Sequence, residues 1–456
     1  MNDNQTKAIS NTRHSRQLLI MSLVIFFSIY VQNEYFLYMI LFLSSFFIIK
    51  NPIYLGIPLY WIFVFSTQYY IVGNASIARI LGIIIIIGLL IKILQSRTSI
   101  RFDKTIFMII FLSLLAFVSV LYSVDLSSSI SNFFVLLINI IIFLLIYFSN
   151  FSFYKLLKLL YYASILSVLF ALFLVLVNSN LLADLFNGNL SRISMDNDQN
   201  PGEFGRNLFI VFSLILFYFG KFSNTNKKFL IYLLLFVTFI LIFLSGSRTS
   251  FVSSIIVVLI FSISRKNVSI IKMMTGIMTL ALLTWLSFKI LGSSIDIILS
   301  RFSIDYIIDT QGARRFTLWK LYLDYVIPNH LFFGVGIGGT AEVIALQKYY
   351  PTVSYIYLKP AHNMFLELII QFGIFGFSLF MAFFANIFMK YIKLRKCEKE
   401  IKYGLVIIFL CLILMSIGEP MFFSKPFWIV ISLISAITHK KGVEYENNET
   451  YPLYDH

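Results

Sequence analysis

His362 is followed by Asn363 and then by an apolar run to about residue 389. An imidazole with an ordinary pKa near 6.5 can take a proton at neutral pH. At the head of an apolar helix it is either a structural cap or a general base, and the residue alone leaves both open. Arg248 is the second candidate, set in the polar turn Ser245-Gly246-Ser247-Arg248-Thr249 between two apolar runs. A charge at membrane depth costs about 2.5–3.5 kcal/mol. Such an arginine either snorkels to headgroups or contacts an anion, and hydroxyls and amides at a helix N-terminus favour phosphate. Arg314 and Arg315 are the third, placed just before Leu318, Leu321, Tyr322, Tyr325 and Val326, whose spacing is one face of a helix. Two arginines at a helix N-terminus oppose its dipole. They form a solvated basic edge, or one of the pair faces a phosphate group, which guanidinium binds in bidentate fashion.

Weaker candidates surround these. Glu203, Arg206, Glu367 and Glu419 fall near the ends of apolar runs, where they can pair with one another or orient a site. The run Gly334-Val335-Gly336-Ile337-Gly338-Gly339 lacks a preceding strand, so it is not a dinucleotide loop. It is suited to close approach of backbone to a ligand or a neighbouring helix. No HExxH, no CxxC and no cluster of carboxylates points to a metal, and no cofactor is expected. Cys397 and Cys411 lie on a basic loop and inside an apolar run, which gives no disulfide framework.

The elements that must position these residues are spans. The 456-residue chain is 59% hydrophobic and 12% charged, with 50 Phe and 26 Tyr; soluble domains carry about 25% charge. Apolar runs predict helices at about 17–31, 35–49, 53–72, 77–94, 105–124, 130–149, 155–177, 204–220, 228–245, 249–264, 269–291, 362–389, 402–418 and 425–438. At about 20 residues per crossing, this is an all-α polytopic membrane bundle of about 12–14 transmembrane helices. The N-terminus, with Arg13 and Arg16 before an apolar run from Leu18, is expected to be an uncleaved first span. Segments 1–291 and 362–441 form the bundle. Residues 292–361 form a large extracytoplasmic loop with short amphipathic helices, one up to Pro328 and one over about 341–349. Residues 442–456 are a polar, disordered cytoplasmic tail.

The formal net charge of +15 is a topology signal. With the N-terminus inside, most Lys and Arg collect on the inner side and leave the outer side near neutral. Nucleic acid is therefore not an expected partner, and the contact surface is membrane lipid. This orientation puts 178–203, the Arg248 turn, the long loop and Glu419-Pro420 on the outer face.

The order Ser245-Gly246-Ser247-Arg248-Thr249, Arg314-Arg315 with Trp319 downstream, Gly334-x-Gly-x-Gly, then His362-Asn363-x-x-Leu366 with Gly373 and Gly376 resembles the O-antigen ligase/polymerase family over roughly residues 195–390. The resemblance implies a metal-independent, inverting membrane glycosyltransferase in the bacterial inner membrane, with both termini cytoplasmic and the active site outside. Its donor is an undecaprenyl-pyrophosphate-linked oligosaccharide. Carried over, Arg248 and one of Arg314 and Arg315 hold the pyrophosphate with Asn363 beside them, and His362 activates or orients the acceptor hydroxyl. Glu203, Glu367 and Glu419 give support. The closest fit within the resemblance is an O-antigen or capsular repeat-unit polymerase, with a chain-length regulator and a flippase as further partners. A ligase acting on lipid A-core is the alternative. A lipid-linked oligosaccharide flippase is the rival from another class, disfavoured because the two halves of the chain differ and polar residues gather at one face.

Overall fold

Apolar runs bounded by polar capping residues fold as helices throughout the computed structural model, which describes residues 3–31, 33–66, 71–72, 75–96, 102–178, 192–193, 201–221, 228–263, 303, 314–392 and 399–446. In chain order the helices are α1 (Asp3–Tyr30), α2 (Glu34–Lys50), α3 (Ile57–Ser66), α4 (Ile77–Ser96), α5 (Lys104–Leu121), α6 (Leu126–Phe148), α7 (Phe153–Val177) and α8 (Pro201–Lys221). They continue with α9 (Lys228–Leu244), α10 (Arg248–Ile263), α11 (Arg315–Leu321), α12 (Gly339–Tyr349), α13 (Met364–Ile392), α14 (Lys399–Gly418) and α15 (Lys425–Glu446). Side-chain caps set several starts. Asn33, Asp103 and Asp125 accept from the amides of Phe36, Ile106 and Ser128 and so satisfy first-turn donors.

Among the described residues, α4, α5, α6, α7 and α13 are long and apolar enough to cross a membrane. On α5 the stripe Phe107, Phe111, Leu114, Phe117 and Leu121 is exposed while Ile109, Leu112, Ala116 and Ser119 are buried. An exposed stripe that is wholly apolar has lipid as its solvent. The chain is an all-α polytopic membrane protein, and the expected run 269–291 lies outside the described residues.

Two expectations change. The run 53–72 is not one span: a wide turn over Pro52–Gly56 precedes the ten-residue α3, and the paired two-residue strands Ile71–Val72 and Ala75–Ser76 follow. Pro58 has no amide to offer the carbonyl of Tyr54, so the Ile57 amide reaches back to Pro52 O and widens the turn. The C-terminal helix continues to Glu446, into the segment expected as tail, because Lys and Glu are adequate helix formers and polarity alone does not end a helix. Residues 447–456 lie outside the described residues.

The chain forms two compact units, which interleave rather than follow the chain-order segments. The first comprises Met1–Gly88, Phe151–Ala313 and Lys399–Met415. In it α7 is central: Phe170 stacks on Phe26 of α1, Ser164 accepts from the Trp61 indole of α3, and Tyr161 stacks on Tyr218 of α8. The second comprises Leu89–Asn150, Arg314–Glu398 and Ser416–His456. There α13 packs on α5 and α15 packs on α6, with Phe143, Phe380, Phe383, Phe384, Phe427 and Trp428 filling the space between. One end of this unit is tied by Asp103, which accepts from Tyr147 (2.7 Å) and pairs with Lys390.

The other end is organised by a break in α13. Gly373 has φ 65° and ψ −169°, so the helix is interrupted there. The backbone groups this frees are taken up by the segment before α12. Val335 and Gly336 amides donate to Ile370 O (2.8 Å) and Gln371 O (3.1 Å), and the Ile374 amide donates to Leu331 O (2.8 Å). Each such group left unpaired in a membrane would cost several kcal/mol. The approach requires glycine on both sides: a Cβ on Gly334 would sit 2.3 Å from Gln371 C, and one on Gly373 would sit 2.2 Å from Phe332 C. The glycine run therefore serves backbone-to-helix contact. It is anchored on α6 as well, where Ser129 Oγ donates to Ile337 O (2.6 Å) and shares a hydrogen bond with Ser123.

Candidate functional site

The loop before α13 has its own core. Leu318, Tyr322 and Val326 are buried with Ile327, Val335, Ala341, Ala345, Leu346, Ala361 and Ile370. The expected single amphipathic helix is α11 followed by a wide turn over Tyr322–Val326 and a short 3-10 turn over Ile327–Asn329. The cause matches that at Pro58: Pro328 cannot serve Asp324 O, and the Ile327 amide reaches Tyr322 O instead. One consequence corrects the predicted face. Ile327 turns inward, while Tyr325 is exposed and stacks on Tyr350 at 4.6 Å.

This core shapes the turn at His362. Trp319 Nε1 donates to Ala361 O (2.7 Å), and Tyr322 OH donates to Lys359 O (2.9 Å). From the other side, Glu342 Oε2 accepts from the Ala361 amide (3.2 Å) and Glu367 Oε1 accepts from the His362 amide (2.9 Å). His362 itself has φ 52°, a left-handed conformation that costs a non-glycine residue about 1–2 kcal/mol. Such a residue persists only where its surroundings over-determine it, and such positions cluster at functional sites. Its side chain is half-buried. Asn363 is the cap of α13: its Oδ1 accepts from the Phe365 and Leu366 amides at 3.1 and 3.2 Å, so that oxygen is already engaged.

Beneath the turn lies a buried polar chain. Glu342 is fully buried and Gln371 nearly so. The Gly338 amide donates to Gln371 Oε1 (3.1 Å), and Gln371 Nε2 donates to Glu342 Oε1. Burial pushes the Glu342 carboxyl up to about 8, against the opposing pull of the hydrogen bonds from Gln371 and the Ala361 amide. Burial likewise raises the Tyr322 phenol, and the nearby Glu342 and Glu367 carboxylates add to the rise.

The two arginines before α11 differ. Arg315 Nη1 donates to Gly418 O (2.6 Å), and its Nη2 lies 3.7 Å from the buried Glu419 carboxylate. Arg314 is exposed and stands at the N-cap with φ 67°. Arg248 belongs to the first unit, where it opens α10 and is half-buried. Its turn is closed locally: Ser245 Oγ donates to Ile242 O, the Ser247 amide donates to Ser245 Oγ, and Ser247 bonds Ser250. Arg192 Nε donates to Ser245 O (3.0 Å), and Gly205 of α8 abuts Ser245 and Ser247. In the same unit Glu203 pairs with Arg206 at 2.6 Å.

His362, Asn363, Glu367, Arg315 and Glu419 are thus brought into one unit, while Arg248 and Glu203 lie in the other. Residues 233–381 match the O-antigen ligase family. No curated protein matches the chain. The O-antigen ligase match contains Arg248, Arg314, Arg315, the glycine run, His362, Asn363, Glu367 and the Gly373 break, and it leaves out Glu203 and Glu419. The match, over 149 of the 456 residues, indicates a function of the O-antigen ligase/polymerase type and, with the apolar helices, supports polysaccharide biosynthesis at a membrane. Glu342 and Gln371 also fall within it, and neither stood out as a candidate from sequence. The signal for Glu342 was its register: it shares the face of Ala341, Ala345 and Leu346 on α12, where a carboxylate needs a partner.

Proposed function

We propose that the protein is an O-antigen or capsular polysaccharide polymerase, an inverting and metal-independent glycosyltransferase. It joins undecaprenyl-pyrophosphate-linked repeat units at the outer face of the bacterial inner membrane. The observation that carries the reading is a histidine held left-handed by a carboxylate at the head of a broken membrane helix, inside the O-antigen ligase match. In the step proposed, the acceptor hydroxyl oxygen bonds to the donor anomeric carbon. The bond from that carbon to pyrophosphate breaks, and the electron pair leaves on the pyrophosphate oxygen.

His362 takes the hydroxyl proton, a contribution of about 10²–10⁴-fold for general-base catalysis. Arg248 is a pyrophosphate contact, countering charge as it builds on the leaving group. Of the other pair, Arg314 is the second contact, because the Arg315 guanidinium already holds Gly418 O and faces Glu419. Asn363 fixes the start of α13 beside the histidine.

The second reading is a ligase, favoured by the description of the matched family; it shares the donor chemistry and differs in the acceptor. Purified protein incubated with one synthetic lipid-linked repeat unit separates them. A polymerase makes a ladder with no second acceptor, and a ligase makes product only when lipid A-core or another acceptor is added. In cells, His362→Ala and Arg248→Ala should abolish long chains while protein level and single-repeat products persist. Normal chain length in either variant removes that residue from the mechanism. Build-up of the lipid-linked unit in the inner leaflet would instead mark a flippase.

A further inference from the structure

We infer that Glu342 and Gln371 are positioning residues that set the backbone of the His362 turn through a hydrogen-bonded chain of fixed polarity. The chain runs from the Gly338 amide to Gln371 Oε1, from Gln371 Nε2 to Glu342 Oε1, and from the Ala361 amide to Glu342 Oε2. Both side chains are buried. Each end is a backbone N–H, which can only donate. The 342 side chain must therefore accept from two donors, while the 371 side chain accepts at one end and donates at the other. With Glu342 ionised, as it is above about pH 8, a carboxylate and a carboxamide in this order satisfy every atom. The Ala361 amide lies next to the His362 amide, which Glu367 holds, so two carboxylates from α12 and α13 fix consecutive peptide groups. On the far side Trp319 holds Ala361 O. Glu342 and Gln371 thus act on the backbone that carries the imidazole.

Reversing the polarity at either position breaks the chain. In Glu342→Gln the new amide nitrogen must face either the Gln371 N–H or the Ala361 N–H, a donor against a donor. In Gln371→Glu two acceptors face each other. Making both changes together restores order: Gly338 N–H to the carboxylate now at 371, its other oxygen accepting from the amide now at 342, and that amide's oxygen accepting from Ala361 N–H.

Two readouts are taken on the full-length protein in detergent at about pH 9, where the Glu342 carboxyl, pushed up to about 8, is ionised. One is the imidazole resonance of His362, by isotope-labelled histidine NMR, assigned from its loss in His362→Gln. The other is steady-state transfer from a synthetic lipid-linked repeat unit. Either single change should displace the His362 resonance and lower kcat on the order of 10²-fold, as misplacing a catalytic group does, with donor KM unchanged. The double change should return both towards wild type. An unmoved His362 resonance in the single variants, or a double variant no better than either single, overturns the inference. Should a single variant fail to yield folded protein, the double variant decides alone: a wild-type resonance supports the inference, and misfolding sinks it.

The kinetic half rests on the proposed glycosyltransferase reading, but the spectroscopic half does not. If the wild-type protein transfers no glycan while the resonance moves and is restored, the function falls and the positioning stands.

Discussion

Two polar turns open helices in this protein, one closed mostly by its own hydroxyls and amides and the other mostly by side chains from elsewhere in the chain. At Ser245–Arg248 the hydroxyls and amides close on residues no more than four positions away, with Arg192 reaching in to Ser245 O. At His362 the shape is imposed by Trp319, Tyr322 and Glu342, up to 42 residues distant. The first turn is closed mostly within its own segment and needs from elsewhere the Arg192 hydrogen bond to Ser245 O. A remotely closed one exists only while the loop core and the break in α13 are intact. If His362 is the base, its reactivity is tied to the folding of the whole loop, whereas the Arg248 turn is a preformed fixture.

The largest contrast should come from glycine. Gly373→Ala places a methyl 2.2 Å from the backbone of Phe332 and forces a left-handed conformation on alanine. No flexible side chain can yield there, so the paired segment Leu331–Gly336 must separate from α13. Gly246, also left-handed at φ 62°, should lose about 1–2 kcal/mol as alanine. Yield of monodisperse protein and thermal melting check both: Gly373→Ala is expected to give little folded protein and Gly246→Ala a folded one. Equal behaviour would undo the contrast.

The arginine pair sharpens it further. Removing Arg315 takes away a cation 3.7 Å from the buried Glu419 carboxylate and the guanidinium hydrogen bond to Gly418 O. Arg315→Ala should therefore cost about 1–3 kcal/mol of stability. Arg314→Ala should leave melting unchanged and lower polymer formation. Reversed roles would show that the exposed arginine is structural.

The same contrast explains what could be read from sequence. Apart from 53–72, and from 269–291, which lies outside the described residues, the apolar runs and the Ser-Gly-Ser-Arg turn are local patterns, and they appear where composition and spacing put them. The wide turns before Pro58 and Pro328 were legible in principle, since a missing amide is a property of sequence, but their effect on the facing of Tyr325 and Ile327 needed coordinates. His362 and Asn363 could be singled out as a pair. Their division of labour could not, because it depends on Asn363 capping the helix while Glu367 takes the His362 amide. Glu342 was hidden for a related reason. Its partners, Gln371 and Ala361, are 29 and 19 residues away, and no spacing rule joins them.

A smaller effect is expected from single donors. Trp319→Phe keeps an aromatic ring and removes the hydrogen bond to Ala361 O, which should cost about 0.5–1.5 kcal/mol. Amide exchange should quicken at residues 361–363 and stay unchanged at 245–251. Ser247→Ala should do the reverse. Loss of protection in both turns from either change would mean that they unfold as one unit.

The finest distinction is in pH. The folded protein holds the Glu342 proton to about 8, from an ordinary value near 4.5. Between those values the native state binds a proton that the unfolded chain has released, so stability falls as pH rises through the window. The contribution is complete below about 4.5 and levels off above about 8. Tyr322 and Glu367 face the same carboxyl, and deprotonating it adds negative charge beside them. The Ser245–Arg248 turn has no group that titrates in this range. Protection factors at Ala361–Asn363, corrected for intrinsic exchange, should decline across the window while those at Ser247–Phe251 hold steady. Glu342→Gln should flatten the decline, because an amide has no proton to lose. A decline that persists in that variant would assign the titration to another group, and a parallel decline in the arginine turn would make it global.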